Sequence, residues 1–398
     1  MKIVYVFDKL YLYFEKEGFY LKPLSLYIHI PFCVKKCLYC DFPSYGGCES
    51  IFDDYVNSLI NEIKETKENF SDYEIKSVFL GGGTPSILPP KLTGKIMDTV
   101  FNCFNIDNNA EITTEANPKT VDEVKLREYK AMDINRISFG VQAWQDNILK
   151  SLGRIHTIDD FIKNMSQARN IGFKNINADI MFALPNQTLS DWEETLEKII
   201  KLNPEHISAY SLIIEDGTPF GKMYDEGKLK TCDEALDREM YYLAKEMMSD
   251  KGYHQYEISN FAKEGFECYH NKVYWRCDEY IGYGIGSHSY FNGERFNNTY
   301  DIEKYINSKG KYSVIKENIE KLKIEDMYAE FMFMGLRMTN GIEKQRFFEK
   351  FKKSVFDIYS NEIKYLKELN LIRETDTNIM LTEKGVDVSN TVFEKFII

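Results

Sequence analysis

Nowhere in this chain of 398 residues is there an uncharged apolar run of the roughly 18 residues that a membrane span requires, so a bilayer-spanning segment is not expected. Positive charge is also short: 50 lysines and arginines stand against 62 aspartates and glutamates, a formal net charge of −12. That balance argues against wrapping nucleic acid or coating an anionic membrane, while leaving room for a local basic pocket. No internal repeat or low-complexity tract is present, and 43% hydrophobic with 28% charged residues is ordinary globular composition rather than that of a disordered chain. The N-terminal stretch MKIVYVFDKLYLYFEKEGFY is interrupted by Asp8, Glu15 and Glu17 and offers no small-residue cleavage site, so no leader peptide is predicted. Histidine is scarce, with six copies, and the eight cysteines do not form a disulfide scaffold, because the chain is long and three of them lie within eight residues. A reducing, cytoplasmic setting is expected.

What is present is a regular alternation of two periods. Strand-like runs at 25–30, 77–80, 110–115, 136–141, 176–182 and 206–213 are separated by helix-period stretches at 52–69, 89–104, 120–132, 158–171 and 190–202. Thr120 and Ser190 are expected N-caps, with Glu123 and Glu193 completing capping boxes. The alternation predicts an α/β fold with a parallel sheet and right-handed crossovers. Because it weakens after the sixth strand, an open, partial (βα)6 barrel is expected rather than a closed eight-fold one. Farther on, 231–251 reads as one amphipathic helix, 253–300 has no clear period, and 325–398 reads as short helices followed by a β pair around 370–382, the pattern of a winged helix. The expected division is an N-terminal extension 1–24, a barrel 25–215, a connecting region 216–324 and a C-terminal unit 325–398. The last carries no basic stripe, so DNA binding is not expected of it.

Cys33, Cys37 and Cys40 follow the first predicted strand in YIHIPFCVKKCLYCDF. Thiolates so spaced can wrap one side of a cluster, and soft sulfur selects iron–sulfur or zinc. A closed zinc site wants four ligands; the nearby fourth is His29, which sits in a strand and reads as a packed or hydrogen-bonded side chain. Three ligands on a four-iron cluster leave one iron open to an external chelator. Other strand ends follow the same logic. Strand two runs into Gly81-Gly82-Gly83-Thr84-Pro85, where bare backbone lets a ligand approach closely, and three glycines exceed what a tight turn needs. Strand three ends in Glu115 and strand four in Gln142. Asp179 lies inside strand five, an acid that needs a partner if both faces are buried. Arg154 precedes a helix, and its fork suits a carboxylate. Sites on parallel α/β barrels lie at the carboxyl ends of the strands, which points to a ligand-binding rim.

The Cys-x3-Cys-x2-Cys spacing resembles the signature of the radical S-adenosylmethionine (SAM) enzymes. That resemblance implies a [4Fe–4S] cluster whose open iron is chelated by the amino and carboxylate groups of SAM, and an electron from the cluster cleaving SAM to a 5′-deoxyadenosyl radical. The series YIHIPFCVKKCLYCDF, FLGGGTPS, TTEANP, RISFGVQ, SLGRIHT, NINADIMFALPNQT and HISAYSLIIE is similar, in that order, to the oxygen-independent coproporphyrinogen III oxidase family, over about residues 24–398. Carried over residue by residue, the resemblance implies that Tyr27, Tyr39, Gly82, Gly83, Thr84, Glu115, Gln142, Arg154 and Asp179 contact SAM, with Ile213 doing so through its backbone if the register holds.

The chain departs from that family's oxidase in two places. Phe42 stands where the oxidase carries a fourth cysteine, and 32 residues precede the first cluster cysteine, fewer than in the oxidase. Cys-Asp-Phe resembles instead the heme-chaperone, or HemW, branch. So does YEISNFAKEGFECYHNKVYWRCDEYIGYGIGSHSY, whose His270-Asn271-x-x-Tyr274-Trp275 that branch implies in heme binding. Physically, His270 offers an imidazole to heme iron, and Tyr274 and Trp275 offer flat apolar surface; packing between the barrel and the next domain is the alternative. The resemblance thus implies a heme chaperone holding a [4Fe–4S] cluster, SAM and heme, and delivering heme to acceptor hemoproteins such as respiratory-chain proteins, with no catalytic residue assigned. The alternatives are an oxidative decarboxylase turning two propionates of coproporphyrinogen III into vinyls, against which Phe42 argues, and a zinc or iron–sulfur structural protein. A homodimer and peripheral contact with a membrane are both compatible with the sequence. Cys48, Cys103 and Cys232 read as small buried hydrophobes, and Cys268 and Cys277 flank the His-Asn motif. His156, His206, His254 and His288 have no ligand spacing and read as structural.

Overall fold

The computed structural model describes residues 21–397; most of the expected N-terminal extension therefore lies outside the described residues. The predicted alternation appears as β1 Lys22–Ile30, α1 Phe52–Thr66, β2 Tyr73–Gly82, α2 Pro90–Cys103, β3 Asn105–Ala116, α3 Glu123–Ala131 and β4 Arg136–Gln142. It continues as α4 Asp146–Ser151, α5 Ile158–Ile171, β5 Asn175–Phe182, α6 Leu189–Leu202 and β6 His206–Ser211. Strands β1 to β6 pair in parallel with sequential neighbours, the pattern that βαβ crossovers produce. Apolar and polar side chains alternate along them, with Ser25, Ser138 and Asn177 between the apolar positions and buried as well. Leu26 and Ile28 of β1, Ile137 and Phe139 of β4 and Ile176 and Ile180 of β5 are all fully buried. Helix α6 buries Trp192, Thr195, Leu196 and Ile199, a stripe at helical spacing, and ends at Asn203, whose φ of 58° closes it in the left-handed region.

Two helix starts differ from expectation. Asp122, not Thr120, caps α3 by accepting from the Lys125 amide, while Thr120 donates to the Asn117 carbonyl in a preceding turn. Thr188, not Ser190, caps α6, and its box partner is Asp191 rather than Glu193. In α6 both registers offer a hydroxyl followed by a carboxylate three residues on. The backbone chose between them, because Thr188 is still extended (φ −91°, ψ 163°) and Ser190 is already helical.

The larger difference lies beyond residue 214. After α7 Pro219–Asp225 and α8 Glu234–Ser249 come β7 His254–Glu257, β8 Asn260–Ala262, α9 Tyr269–Trp275, β9 Tyr280–Tyr283, β10 His288–Phe291, β11 Glu294–Asn298, α10 Ile302–Asn307 and β12 Lys316–Lys321. The segment without a clear period thus supplies five strands, and Lys316–Lys321 a sixth, of a twelve-stranded sheet of order β12-β11-β10-β9-β1-β2-β3-β4-β5-β6-β8-β7. Strand β9 adds to β1 in parallel and the remaining edge strands are antiparallel, and the two ends of the sheet do not pair, so the barrel is open. These strands are three to six residues long, too short to show a period of two.

From Ile324 onward the chain forms helices and a three-stranded antiparallel sheet, Ile342–Glu343, Ile372–Glu374 and Asn378–Leu381. Tyr328, Phe331, Phe347, Tyr359 and Ile363 are among the residues of a second apolar core there. Among the described residues no helix is long and apolar enough to cross a membrane.

A buried carboxylate ties the added strands to the barrel. Glu62 of α1 is fully buried and accepts from the Gly284 amide at 3.0 Å, the Asn298 side-chain amide at 2.6 Å and the Tyr305 hydroxyl. Glu62→Ala would strand these donors without water, and is expected to destabilise the protein by about 3–5 kcal/mol in chemical denaturation; a loss below about 1 kcal/mol would mean that water replaces the carboxylate.

Candidate functional site

The carboxyl ends of β1 to β6 open on one rim, and the loop after β1 carries the three cysteines across it. That loop is closed on itself, with Phe32–Cys33 pairing with Tyr45–Gly46 and the Tyr45 amide donating to the Pro31 carbonyl at 2.7 Å. It is also pinned from outside: the Leu38 amide donates to Leu152 and the Leu38 carbonyl accepts from Phe220. Cys33, Cys37 and Cys40 line a single cavity of about 160 Å³. Burial pushes the Cys33 and Cys40 thiols up, Cys40 to about 11, so as folded they are held as thiols that a metal would deprotonate.

Most of the expected SAM contacts reach the same cavity. Tyr39, Gly82, Gly83 and Thr84 line it, with the Thr84 hydroxyl 3.4 Å from the Cys33 sulfur. The glycine turn is set against the cysteine loop by backbone bonds, Gly83 to Ile30 at 2.9 Å and Thr84 to Phe32 at 2.7 Å. Glu115 accepts from the Gly82 amide at 3.1 Å; burial and then the neighbouring Asp179 raise it to about 8. Asp179 is held by the Ser138 hydroxyl at 3.0 Å and the Asn177 amide at 2.8 Å, the partners that its place in a buried strand demanded. Gln142 takes a left-handed φ of 71° at the end of β4 and accepts from the Tyr210 hydroxyl at 3.1 Å. A non-glycine residue so placed is unusual, and it turns the side chain onto the rim. Arg154 lies 3.5 Å from the Cys37 sulfur, donates to the Gly140 carbonyl, and keeps a buried Nε without a partner.

Three of the candidates lie elsewhere. Ile213 is 68% exposed and lines a second cavity of about 420 Å³. Tyr27 and His270 line a third, of about 520 Å³, beside the first. His270 is 1% exposed, with Nδ1 2.8 Å from the Ser77 hydroxyl and Nε2 2.9 Å from the Tyr274 hydroxyl, so both ring nitrogens are occupied. Glu111 holds its helix in place, accepting from the Tyr269 and His270 amides. Tyr274 lines the third cavity, whereas Trp275 turns away and packs its ring 4.5 Å from the Arg337 guanidinium. Phe42, 56% exposed, and Glu115 line all three cavities, so the position where the resembling oxidase carries cysteine sits at their junction.

His29 supplies no fourth ligand: its Nδ1 is 3.0 Å from the Tyr27 hydroxyl, its Nε2 is 2.8 Å from the Pro43 carbonyl, and burial lowers it to about 4. Among the described residues no three His, Cys, Asp or Glu side chains are spaced to close on one metal ion. Three thiols on one cavity wall suit a polynuclear group in which each thiolate takes its own iron. The unpartnered Arg154 Nε, the bare Gly82-Gly83 backbone and two acids complete a surface suited to an amino acid carboxylate and ammonium.

All eight cysteines are unpaired. Cys48, Cys103 and Cys232 pack against the main core, and Cys268 and Cys277 are buried, raised to about 12 and about 11, and line none of the three cavities. His156, His206 and His254 are tied to Val141, to Asn177 and Tyr256, and to Glu267. Two cavity-lining residues were given no ligand role by the sequence reading, Arg136 by omission and His288 by being read as structural. Arg136 begins β4, is 2% exposed with an unpartnered Nε, and lines the second cavity; the reasoning that singled out Asp179, a charge inside a buried strand, would have found it. His288, on the third cavity, carried no local signal.

A family model of the radical SAM superfamily matches residues 27–199, and one of the HemN C-terminal domain matches residues 322–388. The chain is 37% identical over 374 residues to a heme chaperone HemW of Bacillus subtilis, covering 94% of this chain and 99% of that one. It is 41% identical over 269 residues to heme chaperone HemW of Escherichia coli, covering 67% and 70%. The structure resembles that of coproporphyrinogen III oxidase (HemN) of Escherichia coli, a radical SAM enzyme, with a TM-score of 0.82 at 21% identity, over 94% of this chain and 90% of that one.

Proposed function

This chain belongs to the HemW heme-chaperone family of radical SAM proteins, and from that premise we propose that it binds heme beside a SAM-ligated [4Fe–4S] cluster and passes the heme to acceptor hemoproteins. The observation that carries this reading is the junction at Phe42, where the thiol-lined cavity adjoins an aromatic cavity of about 520 Å³, within the roughly 300–1,000 Å³ typical of cofactor pockets.

When bound, a [4Fe–4S] cluster held by three thiolates offers one iron without a protein ligand, to which the amino and carboxylate groups of SAM coordinate. The chain's own part is to hold and orient. Cys33, Cys37 and Cys40 supply the thiolates. The Gly82-Gly83-Thr84 backbone would lie against the ligand, Arg154 would pair with its carboxylate, and Glu115 and Asp179 would accept from the N–H groups of its amino nitrogen. Tyr39 and Gln142 close the wall, while Tyr27 and Ile213 contact the ligand's outer parts from the adjoining cavities. His270, immobilised by Ser77 and Tyr274, is a buried wall against which the macrocycle packs. The acceptors we favour are respiratory-chain hemoproteins, and the unpaired cysteines support a reducing cytoplasm. The helix-then-hairpin order after Ile324 supports a winged-helix-like unit that caps the site or recruits the acceptor.

Against the decarboxylase stands Phe42, which brings a phenyl ring rather than a thiol to the junction. Anaerobically reconstituted protein given SAM, reductant and coproporphyrinogen III is expected to yield no protoporphyrinogen, while heme-loaded protein mixed with an apo-cytochrome loses its heme to it. Clear porphyrinogen turnover would overturn the chaperone reading, as would failure to transfer.

A further inference from the structure

Three histidines line the aromatic cavity, and they differ in what their ring nitrogens are free to do. His29 and His270 each spend both nitrogens on buried partners, at 3.0 and 2.8 Å and at 2.8 and 2.9 Å respectively. His288 is exposed, with Nε2 2.7 Å from the Tyr300 hydroxyl and, among the described residues, no partner for Nδ1. If Nε2–H donates to the Tyr300 oxygen, Nδ1 keeps its lone pair, the arrangement by which a second partner fixes a ligating tautomer. Burial, and next the nearby Arg295, lower His288 below its ordinary value, which keeps the ring neutral and able to coordinate.

The backbone puts this ring in place. Gly284 and Gly286, at φ of 94° and 62°, turn the chain out of β9, the Ser287 hydroxyl closes the turn on the Gly284 carbonyl at 2.7 Å, and β10 then begins at His288, paired with Asn297 of β11. The rings of Phe42, Tyr274 and Tyr280 line the same cavity. No lysine or arginine lines the cavity among the described residues, so a porphyrin enters with its apolar face inward and its propionates toward the open mouth.

Resting on the reading that this protein carries heme, we propose that the iron of that heme is ligated by His288, with Tyr300 positioning the imidazole and His270 forming the opposite, non-ligating wall. The ligand is then solvent-accessible, which suits a cargo that must be handed on: an iron bond at an exposed ring is open to replacement by an acceptor's own ligand, whereas one formed by His270 would first require breaking its hydrogen bond to Ser77 or to Tyr274.

Ferric heme titrations followed by absorption, on wild type and on His288→Ala, His288→Cys and His270→Ala, test this. Expected results are at least tenfold weaker binding with a changed Soret band for His288→Ala, a thiolate-type spectrum for His288→Cys, and the wild-type coordination spectrum for folded His270→Ala. Iron content of the cysteine site serves as the folding control. Wild-type affinity and spectrum in His288→Ala would overturn the assignment while leaving the chaperone reading intact, as would a folded His270→Ala that alone loses the coordination spectrum. A wild-type protein that binds no heme would remove both.

Discussion

Replacing Cys33, Cys37 or Cys40 with alanine is expected to take the anaerobically reconstituted protein from about four iron atoms per chain to nearly none, with loss of its brown colour. The effect is large because each thiolate holds a different corner of the cluster, and because no other side chain stands ready to substitute. His29, the nearest nitrogen donor in sequence, is locked between Tyr27 and Pro43, and Thr84 offers only a hydroxyl 3.4 Å from Cys33. Cys48→Ala and Cys103→Ala, at positions packed against the core, should keep wild-type iron. Iron and sulfide analysis with electron paramagnetic resonance of the reduced protein reads the outcome. A wild type that carries zinc, or a Cys33, Cys37 or Cys40 variant that retains the full cluster, would refute the assignment.

Gly83→Ala should be nearly as damaging through one methyl group. A Cβ there would lie 2.8 Å from the Phe32 carbonyl oxygen and 2.9 Å from that of Ile30, backbone atoms that no side-chain rotation can move aside. These are also the carbonyls to which the Thr84 and Gly83 amides donate, so the methyl would push the glycine turn away from the cysteine loop and break both bonds. Expected consequences are a destabilisation of about 1–3 kcal/mol and a loss of SAM affinity of at least tenfold by equilibrium dialysis. Gly94→Ala is the contrast: its Cβ would meet only the end of the Met132 side chain at 3.4 Å within α2, so the change should be neutral or stabilising by up to about 1 kcal/mol. Unaltered SAM binding in Gly83→Ala would mean that the turn does not position the ligand.

The barrel was legible in the sequence because its strands alternate apolar with polar residues and its helices bury one face, which wrote two distinct periods into residues 25–211. Helix caps were legible to within two residues and no better, since Thr188-Asp191 and Ser190-Glu193 satisfy the same local chemistry and only the exit angle of the preceding strand separates them. The six edge strands after residue 253 were not legible. A strand of three to six residues with one face on the sheet's rim has too few buried positions to show alternation, and its pairing depends on an edge supplied by β1 or β6, far away in the chain.

The candidate site divides along the same line. Cys33, Cys37 and Cys40 declare themselves by spacing, because a cluster that binds three ligands from one loop constrains residues close together in sequence. Asp179 and Glu115 declare themselves as charges in strands that must be covered. The roles of the histidines could not be read that way. His270 stands in a motif yet is consumed by Ser77 and Tyr274, one from β2 and one from its own helix, while His288, read from the sequence as structural, keeps one ring nitrogen without a partner among the described residues. The sequence by itself determined the open α/β barrel, the three-thiol loop and the ligand-bearing strand ends, since each follows from local periodicity or spacing. Only the tertiary structure decided that Phe42 stands where three cavities meet, that Arg136 reaches the second of them, and which imidazole is free. A side chain's hydrogen-bonding freedom depends on every group packed around it, and those groups come from elements that only folding brings together.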